Sequence, residues 1–256
     1  MGIVARGEQL HRLAETVLTR GGIRALRKWR PFSLASFRLV RGLADDGWSF
    51  VTVIDVGANA GQFTRACLGV WPAAHVLAFE PLPDVARGIE ARIGQTGQVD
   101  VHACAVGASD GTTRFFPFEN SLSSSAFGVA EGAGAEAWAR PLPPITVPLR
   151  RLDTVLASTT IDRPALLKVD VQGSELEVVR GAEVTLGQVD ALLIEVAFQP
   201  LYAGQPPFSS VHDALGQLGW ALVRPLDVRR ESGRIVEADL LYRRSDVREG
   251  DPGRLP

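Results

Sequence analysis

The chain has 256 residues, 46% hydrophobic and 22% charged, with a formal net charge of −2 at pH 7. This composition suits one large α/β domain with a sizeable core, and the charge balance excludes the basic footprint of a nucleic-acid binder. No apolar run reaches the ~20 residues of a membrane span, and the start MGIVARGEQLHRL lacks a secretory h-region, so no stable membrane insertion and a cytoplasmic location are expected.

Residues 1–46 read as a basic helical N-terminal arm. Arg6, Arg12, Arg20, Arg24, Arg27, Lys28, Arg30, Arg38 and Arg41 face only Glu8, Glu15, Asp45 and Asp46, and Leu34, Phe37 and Val40 recur at helical spacing. From residue 47 to 245 the rhythm is α/β. VTVIDV is a β-branched run suited to a strand buried on both faces. QFTRACLGVW follows as a helix ended by Pro72, then HVLAFEP as a strand and a helix opened by Pro83-Asp84. VDVHACAVG reads as the third strand. An inserted loop, 112–148, holds the short strand TRFFPF and a serine-, glycine- and proline-rich stretch, a length that is usually functional or disordered.

The α/β rhythm resumes with ITVPLRRLDTVL, the strand ALLKVDV, one helix over GSELEVVRGAEVTL and the strand ALLIEVA. Ser209 or Ser210 is expected to cap the next helix, on which His212 lies. WALVRPL and EADLLYRR then form an antiparallel hairpin, and 246–256 is read as a flexible tail. The fold class is α/β, a doubly wound, mostly parallel sheet with right-handed crossovers that ends in an antiparallel pair.

The chemistry concentrates at VIDVGANAGQFT. Gly57 and Gly61 allow a tight turn and close ligand approach, and the helix start beyond them favours an anionic group. Glu80 closes the second strand, where a carboxylate accepts hydrogen bonds from both ribose hydroxyls of an adenosine-containing ligand. These features suit NAD and S-adenosyl-L-methionine alike. The spacing discriminates: a dinucleotide fingerprint needs G-x-G-x-x-G, and from Gly57 this chain offers Gly57, Asn59 and Gln62. A Walker-type loop is absent too. A ligand without phosphates, S-adenosyl-L-methionine, fits better.

In VIDVGANAGQFT (53–64), AFEPLPD (78–84), ACAVGASDG (103–111), LLKVDVQGSELEVVRGAE (166–183) and LLIEVA (192–197) the chain resembles the FkbM-type family of S-adenosylmethionine-dependent methyltransferases. The resemblance implies a seven-stranded, Rossmann-like class I methyltransferase fold and O-methylation of a small-molecule hydroxyl, on a sugar, a glycolipid or a glycosylated natural product. It implies that Asp55, Gly57, Asn59, Ala60 and Gly61 line the methionine part of the cofactor, that Glu80 holds the ribose with Pro81 beside the adenine, and that Ala105 and Val106 wall the adenine ring. Ser174 departs from the histidine or aromatic residue often found there.

An acceptor hydroxyl is too weak an acid to ionise at neutral pH, so a base near the methyl group is required. Asp170, at the carboxyl edge of its strand, is the first choice for base or for binding the cofactor's ammonium, and Glu195 the second. Lys168 pairs with Asp170, Gln172 hydrogen-bonds substrate or cofactor, and Ser123 and Ser124 offer hydroxyls to a polar acceptor. No metal is assigned, and a homodimer is left open. The alternatives are a Rossmann-type NAD-dependent oxidoreductase and a non-catalytic membrane- or partner-binding module built on the basic arm.

Overall fold

A computed structural model describes residues 33–118, 125–126, 142–199, 202 and 204–245. The greater part of the basic arm (1–32), most of the insertion with Ser123 and Ser124, and the tail 246–256 lie outside the described residues.

In chain order the elements are α1 (Leu34–Asp45), β1 (Thr52–Val56), α2 (Gln62–Val70), β2 (His75–Phe79), α3 (Pro83–Arg92), β3 (Val99–His102), β4 (Ala105–Val106), β5 (Gly111–Phe115), β6 (Ile145–Arg150), α4 (Leu152–Val155), β7 (Ala165–Val169), α5 (Glu175–Gly181), α6 (Glu183–Leu186), β8 (Ala191–Ala197), α7 (Phe208–Gln217), β9 (Trp220–Glu231) and β10 (Arg234–Arg244). The main sheet has seven strands in the order β3-β2-β1-β7-β8-β10-β9. Its first five are parallel, and β10 runs antiparallel to both β8 and β9. This is the doubly wound sheet with a terminal antiparallel pair that the strand order in the sequence predicts.

The β-branched runs sit where burial on both faces demands them: every residue of β1 and β7 is buried. One face of the sheet packs against α4 to α7, with Ile54, Leu167, Val178, Leu215 and Tyr242 in a common core. The other carries α1 and α2, and there Val40 and Leu43 of α1 join Val53, Phe63, Cys67 and Leu193. The helix at the end of the basic arm is therefore part of the domain's core. Its start is capped by Ser33, whose Oγ accepts from the Ser36 N–H. Cys67 and Cys104 are buried free thiols.

Three expectations are corrected. VDVHACAVG is two strands: a tight turn, in which the Cys104 N–H donates to the His102 carbonyl, sends Ala105 and Val106 out of the main sheet. They pair instead with Leu149 and Arg150 of β6, in a second sheet ordered β4-β6-β5. GSELEVVRGAEVTL is two short helices, because Asp153 caps the second one from outside: its carboxylate accepts from the N–H groups of Val184 and Thr185 and from the Thr185 hydroxyl. The cap of α7 is Pro207, with Ser209 and Ser210 already inside the first turn. Among the described residues no helix is long and apolar enough to cross a membrane.

Candidate active site

Two cavities open at the carboxyl edge of the sheet. The first lies over the turn between β1 and α2. Gly57 has φ +82°, and a Cβ there would stand 1.8 Å from the Asp170 carbonyl oxygen, so the close approach of the β1 and β7 ends requires glycine. Asn59 also has positive φ, 49°. Its N–H donates to Glu80 Oε2 at 2.9 Å, and its side-chain oxygen accepts from the Ala60 N–H at 2.6 Å. Glu80 Oε1 accepts from the Leu82 N–H at 2.8 Å. Both Glu80 oxygens are thus oriented by backbone donors. Burial raises its pKa to about 7 in spite of those two hydrogen bonds, leaving a carboxylate with a strong appetite for further donors.

The wall of this cavity includes Gly57, Asn59, Glu80, Pro81, Ala105 and Val106, and Asp170 and Gln172 close its far side. Phe79, Cys104 and Phe115 supply flat or apolar surface, the usual lining of a small-molecule pocket. The turn amides are engaged within the protein: the N–H groups of Gly57 and Ala58 donate to the Phe79 carbonyl, and that of Gly61 to Ala58. With the Asn59 and Ala60 amides taken as well, the turn is a poor cradle for a pyrophosphate.

Asp55, expected beside the cofactor, is wholly buried behind the turn. Its Oδ2 accepts from the Thr64 hydroxyl at 2.7 Å and from the Thr64 N–H at 3.2 Å, pinning the first turn of α2. Ala60 and Gly61 likewise fall outside the residues that line the cavity, and Gly61 is held by its φ of +84° and by Ile93 packed beneath it.

The second cavity, of about 320 Å³, lies between α1 and the ends of β7 to β10. Lys168, Asp170 and Glu195 line it, with Ser33, Ser36 and Phe63 on the α1–α2 side. Its remaining polar wall comes from the hairpin: Asp227, Arg229, Glu237 and Asp239. Glu195 of β8 pairs in register with Asp239 of β10, which pairs in turn with Asp227 of β9. Three carboxylates therefore stand in one cross-strand row, an arrangement that costs free energy unless protons or ligand donors relieve it. Burial, reinforced by Asp170, pushes Asp239 up to about 7. Glu237 is partly compensated by Arg229, whose Nε donates to it at 2.8 Å.

Asp170 lines both cavities. Its Oδ2 is 3.2 Å from Lys168 Nζ, and Lys168 Nζ is 3.4 Å from Asp55 Oδ1 and donates to the Gly57 carbonyl at 3.2 Å. Burial alone would raise Asp170, but the Lys168 ammonium and the Gln172 amide hold it below the usual carboxylate range. Burial and then Asp170 push Glu195 well up. Two carboxylates at one edge thus hold opposite protonation preferences, the arrangement that separates acid from base roles. Lys168, expected to touch substrate, has its ammonium committed to two carboxylates and a carbonyl.

His212 does not reach either cavity: its Nδ1 is 3.0 Å from the Tyr242 hydroxyl on the opposite face of the sheet. The hairpin acids escaped the motif reading. Their signal is the period-2 placement of Glu237 and Asp239 in the otherwise apolar strand VEADLL, which puts both acids on one face. Among the described residues no group of three or more His, Cys, Asp or Glu side chains is arranged to hold a metal ion.

The model of the methyltransferase FkbM domain matches residues 55–221. The 2-O-methyltransferase NoeI of Sinorhizobium fredii is 28% identical over 202 residues, covering 76% of this chain and 80% of its own length. The hexuronic acid methyltransferase AglP of Haloferax volcanii is 28% identical over 159 residues, covering 62% and 61%. Among solved structures, the methyltransferase FkbM from Methylobacillus flagellatus superimposes with a TM-score of 0.46 at 15% identity, over 76% of this chain and 43% of that one. The dinucleotide alternative falls away with the family match: the chain belongs to the FkbM family of methyltransferases.

Proposed function

We propose that the protein transfers a methyl group from S-adenosyl-L-methionine to a hydroxyl of a sugar or a sugar-bearing small molecule. The carrying observation is that Asp170 lines both the mostly apolar cavity over the β1–α2 turn and the polar one. A base at that junction faces the acceptor oxygen as it meets the methyl carbon.

The residues present fit the cofactor. Glu80, with both oxygens oriented by backbone N–H groups, would hold the ribose, and Cys104, Ala105, Val106 and Phe115 would enclose the adenine. S-adenosyl-L-methionine brings a methyl group on a sulfonium, which leaves without needing a proton. The chain's task is then to align the acceptor and to take its proton, and Asp170, kept ionised by Lys168, is suited to that. The second cavity supports a polyol. Carboxyl groups along Glu195, Asp239 and Glu237 offer acceptor oxygens to several hydroxyls at once, and Leu39, Phe63 and Leu193 give one apolar wall for a sugar face. Relatives named for sugar methylation, NoeI and AglP, point the same way.

Titration calorimetry with S-adenosyl-L-methionine and S-adenosyl-L-homocysteine tests the cofactor, with NAD as the control. Heat with the first two and none with NAD is expected, and the reverse overturns the reading. A panel of hexose, hexuronate and glycolipid acceptors with radiolabelled methyl donor tests the acceptor class, and methylation confined to acceptors without a sugar would remove that part.

A further inference from the structure

The loop between β7 and α5 contains a residue whose geometry the proposed chemistry has not used. Gln172 has φ +56°, a left-handed conformation that costs a non-glycine residue of the order of 1 kcal/mol or more. Its side-chain nitrogen donates to Asp170 Oδ1 at 2.9 Å and to Glu195 Oε2 at 2.5 Å. Its side-chain oxygen accepts from the Tyr202 hydroxyl at 2.9 Å, and its backbone carbonyl accepts from the Ser125 hydroxyl. Both amide N–H donors and the amide oxygen are therefore engaged. Two stretches far away in sequence, at Ser125 and Tyr202, hold the strained residue in place.

We propose that Gln172, locked in orientation by Tyr202, is a positioning residue that makes Asp170 and Glu195 one unit sharing a single proton, with the proton on Glu195 and Asp170 left ionised. The role of Asp170 as base rests on the methyltransferase reading; the proton arrangement does not.

The amide's two faces explain the need for a lock. Turned by 180°, it would aim its oxygen at two carboxylates and lose both donors. Tyr202 prevents this by offering a hydroxyl proton that only the amide oxygen accepts well. Tyr202 is buried, and burial, then Glu195, pushes its pKa up, so the hydroxyl stays protonated and donating.

The surroundings decide which carboxylate carries the proton. On the Asp170 side stands the Lys168 ammonium, with Asp55 of β1 behind it. On the Glu195 side stand the acids of β10, Asp239 in register and Glu237 nearby. From β9, Asp227 and Arg229 face the same cavity, Arg229 being bound to Glu237 and Glu231. From α5, Glu175 turns back on the Gly173 N–H and, raised by burial to about 7, adds little negative charge below neutrality. The wall given by α1 is Ser33, Ala35, Ser36 and Leu39, without charge. The cation lies beside Asp170 and the surplus acids beside Glu195, so the proton belongs on Glu195.

The test is a pH titration by carbon-13 NMR of labelled Asp and Glu carboxyls in the full chain, for wild type, Gln172→Leu and Tyr202→Phe. In wild type Asp170 should titrate below the ordinary carboxylate range and Glu195 well above it. Tyr202→Phe removes one oxygen and should keep the fold; with the amide free to turn, Asp170 loses a donor to its charged form and its midpoint should rise towards that of Glu195 by about one pH unit. Gln172→Leu should bring a larger shift, and Gln172→Glu should not restore wild-type midpoints. A wild-type Glu195 that titrates below pH 5 overturns the shared proton, and midpoints unmoved by Tyr202→Phe overturn the lock. S-adenosyl-L-homocysteine calorimetry on the same samples keeps the methyltransferase reading separate: absence of binding would remove that reading and leave the titration result standing.

Discussion

The cavity proposed for the cofactor is assembled from loops that lie within a few residues of the ends of β1, β2 and β7, with the small second sheet as its outer wall. The cavity proposed for the acceptor draws on α1, on β7 and β8, and on both strands of the terminal hairpin. The first wall is mostly apolar and carries the acid Glu80 at one end, whereas the second has a cross-strand row of acids. A ligand of fixed shape is served by local motifs, because each turn needs only its own strand end. A polar acceptor is served by side chains gathered from distant segments, which can vary without disturbing the turn. Asp170 belongs to both.

The strongest test breaks the junction. Asp170→Asn should lower kcat by about 10²–10⁴-fold, the range for loss of a general base, while calorimetry still shows S-adenosyl-L-homocysteine binding. Wild-type turnover in that variant would take the base role away from Asp170. Next comes the cofactor side alone. Glu80→Ala removes the proposed acceptor of two ribose hydroxyls and should weaken cofactor binding about 100-fold or more, as charge-assisted hydrogen bonds contribute about 1.5–3 kcal/mol each. A change below tenfold would place the ribose elsewhere.

A pair of glycines sharpens the contrast in packing. Gly181 ends α5 against the loop after β4, and a Cβ there would meet the Gly107 carbonyl oxygen at 2.0 Å. Gly42 of α1 has open space around the same position. Helix propensity alone predicts that alanine stabilises both by about 1 kcal/mol. Gly181→Ala should instead destabilise by about 1–3 kcal/mol through overpacking, and Gly42→Ala should stabilise, both read from urea denaturation midpoints. Equal effects at the two sites would show that the backbone beside Gly181 yields. On the acceptor side, Asp239→Asn should raise the acceptor KM about tenfold, the worth of one hydrogen bond to a charged group, and leave cofactor affinity unchanged.

The same contrast governs what the sequence made legible. VTVIDV, HVLAF and ALLKV announce buried parallel strands through unbroken apolar runs, and the G-x-N-x-G turn with Glu80 announces the wall of the first cavity, because these signals are local. Asp55 stands behind the turn instead of in the cavity wall for a physical reason: a strand-end acid before a glycine turn serves equally to tie down the helix behind it, and Thr64 is the partner that holds it. VDVHACAVG hid a change of sheet, since apolar alternation does not record which strand is the neighbour. The row Glu195, Asp239 and Asp227 depends on the register of a hairpin with bulges, which no local pattern fixes. Tyr202 acts through a hydrogen bond to Gln172 across 30 positions and leaves no local trace.

The smallest predicted effect is a pH dependence that separates the two cavities. Burial raises Glu80 of the cofactor side and Asp239 of the acceptor side to about 7, from ordinary values of 4.5 and 3.8. Protonated Glu80 offers ribose hydroxyls one good acceptor fewer, so cofactor affinity should fall as pH drops through about 7, by no more than about tenfold per pH unit for a single group. Glu80→Gln should flatten that curve and leave the pH dependence of the acceptor KM in place, and Asp239→Asn should do the converse. One curve responding to both variants would mean that the cavities titrate as a unit through Asp170. The sign for the fold is opposite. Both groups are raised above their unfolded values, so their contribution to stability is fully present below about pH 4 and is lost as pH rises through about 7. Acid thus favours the folded state at the two positions where it weakens the hold on ligand, as expected of carboxylates buried for binding rather than for stability.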